Sequence, residues 1–252
     1  MKALYDRICK FTHLLPGRLW VIANEARIMS LDKQQILSAV IQKSDVPRIY
    51  KNIASVYDIW ARLTESKARN RCLELAIIRN GESVLEVAVG TGLTFLEILR
   101  LNSAGQNEGI DLTEEMLNRA KEKVENLGVF NYRLEIGDAY NLRYSDNSFD
   151  LVINNYMFDL LPEEDFVVVL AEFKRVLRPG GRLVLVNMTR PEHWYNSVWE
   201  NIYRVNPAWM GGCRGVFLQP HLESVGFVEV RREFISQLTF PSEVVHGFKP
   251  KS

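Results

Sequence analysis

The residues whose types and spacing could do chemistry are Gly90, Thr91 and Gly92, followed at intervals by Asp111, Asp138 and Asn155. Two glycines around a threonine let backbone approach a bound molecule closely, because glycine has no side chain to stand in the way. A helix that begins just past such a turn directs free N–H groups at whatever lies there. A carboxylate about 20 residues further on suits the two hydroxyls of a ribose, and Asp111 stands there. Asp138 is a second acceptor, suited to an exocyclic amine. The set describes a site for a nucleotide-like ligand. A phosphate-cradling loop would place a lysine and a hydroxyl directly after its last glycine, whereas Leu93 and Thr94 follow here. A dinucleotide loop of the G-x-G-x-x-G kind would need its third glycine where Phe95 stands.

These residues need elements to hold them on one rim, and the sequence supplies such elements. Val84, Leu85, Val87 and Val89 form an apolar run with Glu86 embedded in it, which reads as a buried strand. After the glycines, Leu93, Phe95, Leu96, Ile98 and Leu99 take up helical spacing. Gly109 to Leu112 make a short strand ending in Asp111, and Thr113 is placed as the cap of a helix reaching about Leu127-Gly128. Further strands are expected at Tyr132–Ile136, ending at Gly137-Asp138, at Phe149–Asn155 and at Arg182–Asn187, with a helix from about Pro162 to Leu177. A helix near Phe217–Val225, a strand at Phe227–Ile235 and an extended piece from Phe240 to Val245 complete the chain. Alternating strands and helices imply an α/β fold, a Rossmann-like, doubly wound and mostly parallel sheet. Ligands of such sheets sit beyond the carboxyl ends of the strands, where Gly90, Asp111, Asp138 and Asn155 all fall. Residues 1–80 read as an N-terminal helical cap, its last helix at 66–79 stopping near Asn80-Gly81, and residues 81–252 as the ligand-binding domain. An aromatic insertion at about 188–216, with Trp194, Tyr195, Trp199, Tyr203 and Trp209, reads as a lid or as a packed helix.

The chain has 252 residues, enough for one substantial core. Its 31 basic residues balance 31 acidic ones, which argues against a nucleic-acid partner. Cys9, Cys72 and Cys213 are odd in number and widely spaced, which favours neither a disulfide framework nor a metal site and fits a reducing, cytoplasmic setting. No apolar run approaches the ~18 residues of a membrane span. The apolar N-terminal faces, with Trp20 as an anchor, are compatible with peripheral membrane contact. Oligomeric state has no signature.

S-adenosylmethionine suits the rim because it has an amino-acid end, a ribose and an adenine but no phosphates. The segments VLEVAVGTG, GIDLTEEMLNRAKEK, IGDAYNLRYSDNSFDLVI and FKRVLRPGGRLVLV, in that order over about residues 48–187, resemble the successive motifs of class I S-adenosylmethionine-dependent methyltransferases. They are most similar to the branch of ubiquinone and menaquinone C-methyltransferases, and also to bacterial phosphatidylethanolamine N-methyltransferases. The resemblance implies that Glu86, Gly90, Thr91 and Gly92 surround the methionyl and ribose side, and that Asp111 holds the ribose. It further implies that Leu112 and Met116 flank the adenine, that Asp138 and Ala139 meet its edge, and that Asn155 lies near the cofactor. Tyr57 resembles the tyrosine that covers the cofactor in this branch. One position departs from the pattern: the first glycine of the usual G-x-G-x-G is Ala88.

An amine or hydroxyl acceptor needs a proton removed, and His193 and Tyr156 are the favoured candidates for that work, with His221 and Asp159 behind them. The aromatic insertion and the apolar cap favour a hydrophobic or lipid-like acceptor, a quinone precursor or an amine headgroup. NNYMF follows the fourth strand, where amide- and nucleobase-methylating types carry (N/D)PP(Y/F). Two other readings remain: a catalytically silent S-adenosylmethionine-binding module, and a nicotinamide-dependent oxidoreductase on a similar sheet. Replacing Asp111 by alanine is expected to abolish cofactor binding and leave the fold intact.

Overall fold

The computed structural model describes residues 58–125 and 127–251. Tyr57 and the apolar faces expected before it lie outside the described residues. Residues 58–64 are helical, and α1 (Ser66–Ala76) follows directly. Then come β1 (Ser83–Val87), α2 (Leu93–Leu101), β2 (Gln106–Asp111), α3 (Glu114–Glu125), β3 (Tyr132–Ile136) and β4 (Phe149–Asn155). They are followed by α4 (Phe166–Val176), β5 (Leu177–Met188), α5 (Ser197–Val205), α6 (Gln219–Val225), β6 (Val228–Gln237) and β7 (Phe240–Phe248).

The seven strands form one sheet in the order β3-β2-β1-β4-β5-β7-β6. Pairing is parallel from β3 through β5, and β7 runs antiparallel to both β5 and β6. This is the expected doubly wound sheet, and the order reverses between β1 and β4. A crevice opens outside the strand ends at such a reversal.

Alternation along the strands divides the core. Val84, Leu151, Ile153, Val184 and Val186 share one core with Ala68, Cys72 and Ala76 of α1 and with Phe95, Ile98 and Leu99 of α2. The intervening Leu85, Val152, Leu183 and Leu185 are equally buried and point the other way. On that other face Phe158 meets Phe166 and Phe173 of α4 edge-on, at 5.4 and 5.8 Å. Glu86 has the parity of Val84 and so faces α1 and α2.

Three boundaries differ from expectation. α1 stops at Ile77, which takes a left-handed conformation (φ 46), not at Asn80-Gly81. Arg182 explains the early stop: it forks onto Glu82 at 2.6 and 3.0 Å, and its Nε donates to the Ala76 carbonyl at 2.9 Å. The last carbonyls of α1 are thus satisfied by a side chain. Residues 188–216 are not irregular throughout, since they hold α5 between short 3-10 turns at Trp194–Asn196 and Pro207–Met210. Trp199 of α5 packs edge-on against Trp60 (5.5 Å) and Phe240 (5.3 Å). The long last strand, finally, runs to Phe248.

β7 carries a fully buried carboxyl, Glu243. Burial pushes its pKa up and Arg232 opposes that shift. Arg232 Nε donates to it at 2.6 Å, and the Leu218 N–H donates to its other oxygen at 3.0 Å. Removing one member of a buried pair strands the other. Glu243→Ala is expected to lower stability by about 3–5 kcal/mol, read from urea denaturation, with the slope of the transition unchanged.

Candidate functional site

β1 delivers the chain to the crevice at Ala88, and the turn Ala88 to Gly92 bends it into α2. Ala88, Gly90 and Gly92 all take positive φ, at 58, 57 and 82. Gly92 is also required by space, because a Cβ there would lie 2.9 Å from the Ala120 Cα of α3. Ala88 adopts the conformation that suits glycine, so the departure noted in the sequence is a point of strain.

The turn is held from two sides. Asp111, at the end of β2 and 7% exposed, accepts the Gly90 N–H on Oδ2 at 2.8 Å. Its Oδ1 accepts the Thr113 N–H at 2.9 Å and the Thr113 hydroxyl at 2.5 Å. Burial raises its pKa, against these hydrogen bonds. On the other side Thr91 donates its hydroxyl to Asp58 Oδ1 at 2.6 Å. Lys123 of α3 reaches both Asp58 Oδ2 (2.6 Å) and the Thr91 carbonyl (2.9 Å).

A pocket lies under the turn on the α1 face of the sheet. Its lining comes from Glu65 and Arg69 beside and on α1, from Glu86 and the turn, from Leu93 and Thr94 of α2, and from Asn155 and Tyr156 at the end of β4. Glu86 is 1% exposed, and its Oε2 has no hydrogen-bond partner. Burial drives its pKa well above the usual carboxylate range; Asn155, Arg69 and Thr94 oppose that, and Asp111 adds to it. Asn155 donates Nδ2 to Thr94 Oγ1 at 2.9 Å and leaves its own buried Oδ1 unpartnered. Two acceptors are thus buried at the pocket without donors. Such groups cost free energy unless a ligand or water satisfies them.

Of the residues singled out from sequence, Glu86, Gly90, Thr91, Asn155 and Tyr156 line this pocket, and Asp111 is bonded to its turn. Asp138 and Ala139 follow β3, tethered to β2 by the Gly137 N–H on the Asp111 carbonyl at 3.0 Å. Leu112 is 37% exposed beyond β2, and Met116 is buried in the first turn of α3.

The two favoured bases fare differently. His193 is not among the pocket residues; it is exposed, stacks on Tyr195 at 5.1 Å and meets Phe234 of β6 edge-on. Tyr156 does reach the pocket, in a left-handed conformation (φ 53), but its hydroxyl is bonded to Ser242 at 2.9 Å. Burial holds its pKa well above the usual phenol value. His221 lies 3.4 Å from Glu163 and packs on Phe166 of α4, on the far face of the sheet. Asp159 is fully buried, accepts the Met188 N–H at 3.2 Å, and is pushed up to about 7, chiefly by burial. Asp111 also ties the turn to β2 and α3, since it accepts three donors there.

Glu65, Arg69, Thr94 and Asp58 are not assigned to the site by the sequence reading. The available signal was the i, i+4 spacing of Glu65 and Arg69, which places both on one flank of a helix. Nothing in the sequence says that this flank faces the glycine turn.

Two outcomes follow from the turn. A left-handed alanine costs roughly 1–2 kcal/mol, and glycine gives back about 0.4–1 kcal/mol through the freedom of the unfolded chain. Ala88→Gly should therefore raise stability by about 0.5–1 kcal/mol, seen as a higher urea midpoint. Burial pushes the Asp58 carboxyl up, but Lys123 and Thr91 outweigh it and hold the pKa below the usual value. A depressed carboxylate stabilises above its unfolded pKa of about 3.9 and loses that contribution as pH falls through the lower, folded value. Asp58→Asn should be less stable than the parent at pH 7, and the difference should shrink as pH falls through the lowered, folded pKa of Asp58.

The comparisons agree with this geometry. Residues 84–181 match a family model described as a methyltransferase domain. The chain is 34% identical over 154 residues to demethylmenaquinone methyltransferase of Staphylococcus aureus (strain MRSA252), covering 59% of this chain and 62% of that protein. It thus spans about three fifths of the length of the curated relatives it matches. A SAM-dependent methyltransferase from Aquifex aeolicus superposes with a TM-score of 0.56 at 20% identity, covering 83% of this chain and 99% of that one. Haemonchus contortus phosphoethanolamine N-methyltransferase 2, solved with phosphomonomethylethanolamine and S-adenosylhomocysteine, superposes with a TM-score of 0.59 at 15% identity, covering 73% and 52%. The sheet order and the turn after β1 agree with the match over residues 84–181, and the glycine turn lies within the stretch that matches a methyltransferase domain.

Proposed function

We propose that this protein transfers a methyl group from S-adenosylmethionine to a small, hydrophobic acceptor of the quinone-precursor type. The observation that carries the cofactor is the pair of buried acceptors in the pocket, which have no donors of their own. The unpartnered Glu86 Oε2 and Asn155 Oδ1 await donors, and an α-ammonium has three to give. Asp111 already accepts three donors, which leaves about one of a carboxylate's roughly four acceptor positions for a ribose hydroxyl. The residues therefore fit the cofactor.

When bound, S-adenosylmethionine supplies a methyl group already activated by its sulfonium. The work left to the chain is to orient donor and acceptor and to exclude water, and approach geometry alone is worth roughly 7–11 kcal/mol. The residues named above do this by holding the turn rigid from β2, α3 and Asp58. Tyr156 closes the pocket beside the cluster of Trp60, Trp199 and Phe240, the last of which it meets at 6.4 Å. These three rings pack on one another in and against the core and are not among the pocket residues. A demethylmenaquinone methyltransferase among the relatives is what supports a flat, apolar acceptor over a charged headgroup. His193, placed away from the pocket, takes no part in the proton's removal.

Calorimetry tests the cofactor: S-adenosylhomocysteine should bind and NADH should not, and the reverse would sink the proposal. Asp111→Asn should weaken S-adenosylhomocysteine at least about tenfold, the loss of one charge-assisted hydrogen bond. Incubation with methyl-labelled cofactor and separate quinone-precursor and phospholipid extracts should put the label in the first. Label in the phospholipid extract alone would move the assignment to an amine headgroup, and none in either would favour a silent binding module.

A further inference from the structure

The insertion after β5 is closed at its neck. It leaves the sheet at Thr189 and returns at Val216, two residues that pair in parallel. The Val216 N–H donates to the Met188 carbonyl at 3.0 Å, and the Thr189 hydroxyl donates to the Val216 carbonyl at 2.8 Å. Beside this neck lies Arg214, only 1% exposed. Its backbone N–H and its Nη1 both donate to the Asp159 carbonyl, at 3.2 and 2.9 Å, and its Nη2 donates to the Leu161 carbonyl. A buried guanidinium is costly unless its donors are used; burial pulls its pKa down, and Tyr203 and Asp159 oppose that. Asp159 receives the other side of the neck as well, because its Oδ2 accepts the Met188 N–H. The segment gripped in this way, residues 156–161, is a turn of its own. The Leu160 N–H bonds the Met157 carbonyl at 3.0 Å, and the Leu161 N–H bonds the Phe158 carbonyl at 3.1 Å. The turn opens with Tyr156, which lines the pocket in a left-handed conformation (φ 53). Such conformations persist only where their surroundings hold them. No described residue of the insertion itself lines the pocket.

Resting on the cofactor reading above, we propose that Arg214 is a positioning residue. From the neck of the insertion it fixes the 156–161 turn and with it Tyr156, so that docking of the insertion and occupation of the pocket favour each other. The guanidinium suits this work because its donors are fixed in one plane and reach two carbonyls at once. An ammonium in its place would keep the charge but act as a point. The bonds form a closed circuit: Arg214 to Asp159, Asp159 to Met188, and Met188 to Val216, two residues on from Arg214. A shift of Tyr156 is therefore felt at the neck. An insertion that lifts away takes three donors from the turn, and Tyr156 loses support for its strained backbone. The coupling is reciprocal: a bound cofactor holds the insertion down as much as the docked insertion holds the cofactor.

The test is amide hydrogen exchange on the full chain, with and without S-adenosylhomocysteine, alongside calorimetry. In the parent the ligand should slow the α5 amides (Ser197–Val205) by about fivefold or more, the lower end of typical coupling between sites, although α5 is not part of the pocket. The α6 amides (Gln219–Val225), outside the circuit, should change little. Arg214→Lys should bind S-adenosylhomocysteine about 5- to 20-fold more weakly and lose most of the slowing at α5. Its strands β1 and β4 should keep the parent's protection in the free protein, and Arg214→Gln should lose more of both responses. Unchanged α5 exchange in the ligand-bound parent would overturn the proposal without reference to any variant. Equal slowing in α5 and α6 would show only general stabilisation by the ligand and would overturn it too. So would a lysine variant that keeps both affinity and slowing, or one whose losses extend equally to β1 and β4, since Arg214 would then serve stability alone. If the parent does not bind S-adenosylhomocysteine, the cofactor reading itself fails and takes this proposal with it.

Discussion

The Asp111 carboxylate is the constraint on which the site depends. It accepts the Gly90 N–H and both donors of Thr113, so one buried side chain joins the end of β2, the start of α3 and the turn after β1. Without it the Gly90 N–H would lose its acceptor, and the turn would rest on Asp58, Lys123 and its own backbone bonds. The cost is the burial of a charge, which shows as the upward push on its pKa. A cofactor ribose would add a donor to the same group, so the carboxylate serves structure and binding with different lone pairs.

The rest of the rim follows from the same economy of buried charge. Glu86 is placed one strand over, on the α1 face, because the parity of β1 puts it there with Val84. Its burial is tolerated through Asn155, Arg69 and Thr94. The far end of the sheet solves a similar problem with Glu243 and Arg232, but there both carboxylate oxygens have donors from the protein itself. The difference between a structural and a receptive buried carboxyl lies in whether its acceptors are all used.

Much of this was legible beforehand. β3 and β4 lie where the apolar alternation predicted them, because each is bounded by a residue that cannot extend it inward, Gly137 in one case and the Asn155-Tyr156 turn in the other. Glycines at 90 and 92 and an acid at 111 are local signals of turn and strand end, and their chemistry travels with them. The end of α1 was misread because the terminator, Ile77 in a left-handed conformation, is a residue that rarely adopts it, while Arg182, which satisfies the helix end, is 106 residues away. That His193 is not among the pocket residues could not be read beforehand for an allied reason: its position after a strand says nothing about the direction of its ring. Arg69 and Asp58 were invisible because their importance comes only from what α1 and the preceding helix pack against.

Cys72 closes the account. Its thiol is fully buried in α1 and lies close enough to Glu86 for that group to add to the upward push of burial on its pKa. A thiol so placed is neither ionised nor reachable while α1 rests on the sheet. Alkylation of this cysteine therefore requires the helix to lift away, and its rate reports how often that opening occurs. The chain carries a built-in clock for the detachment of the helix that borders its pocket.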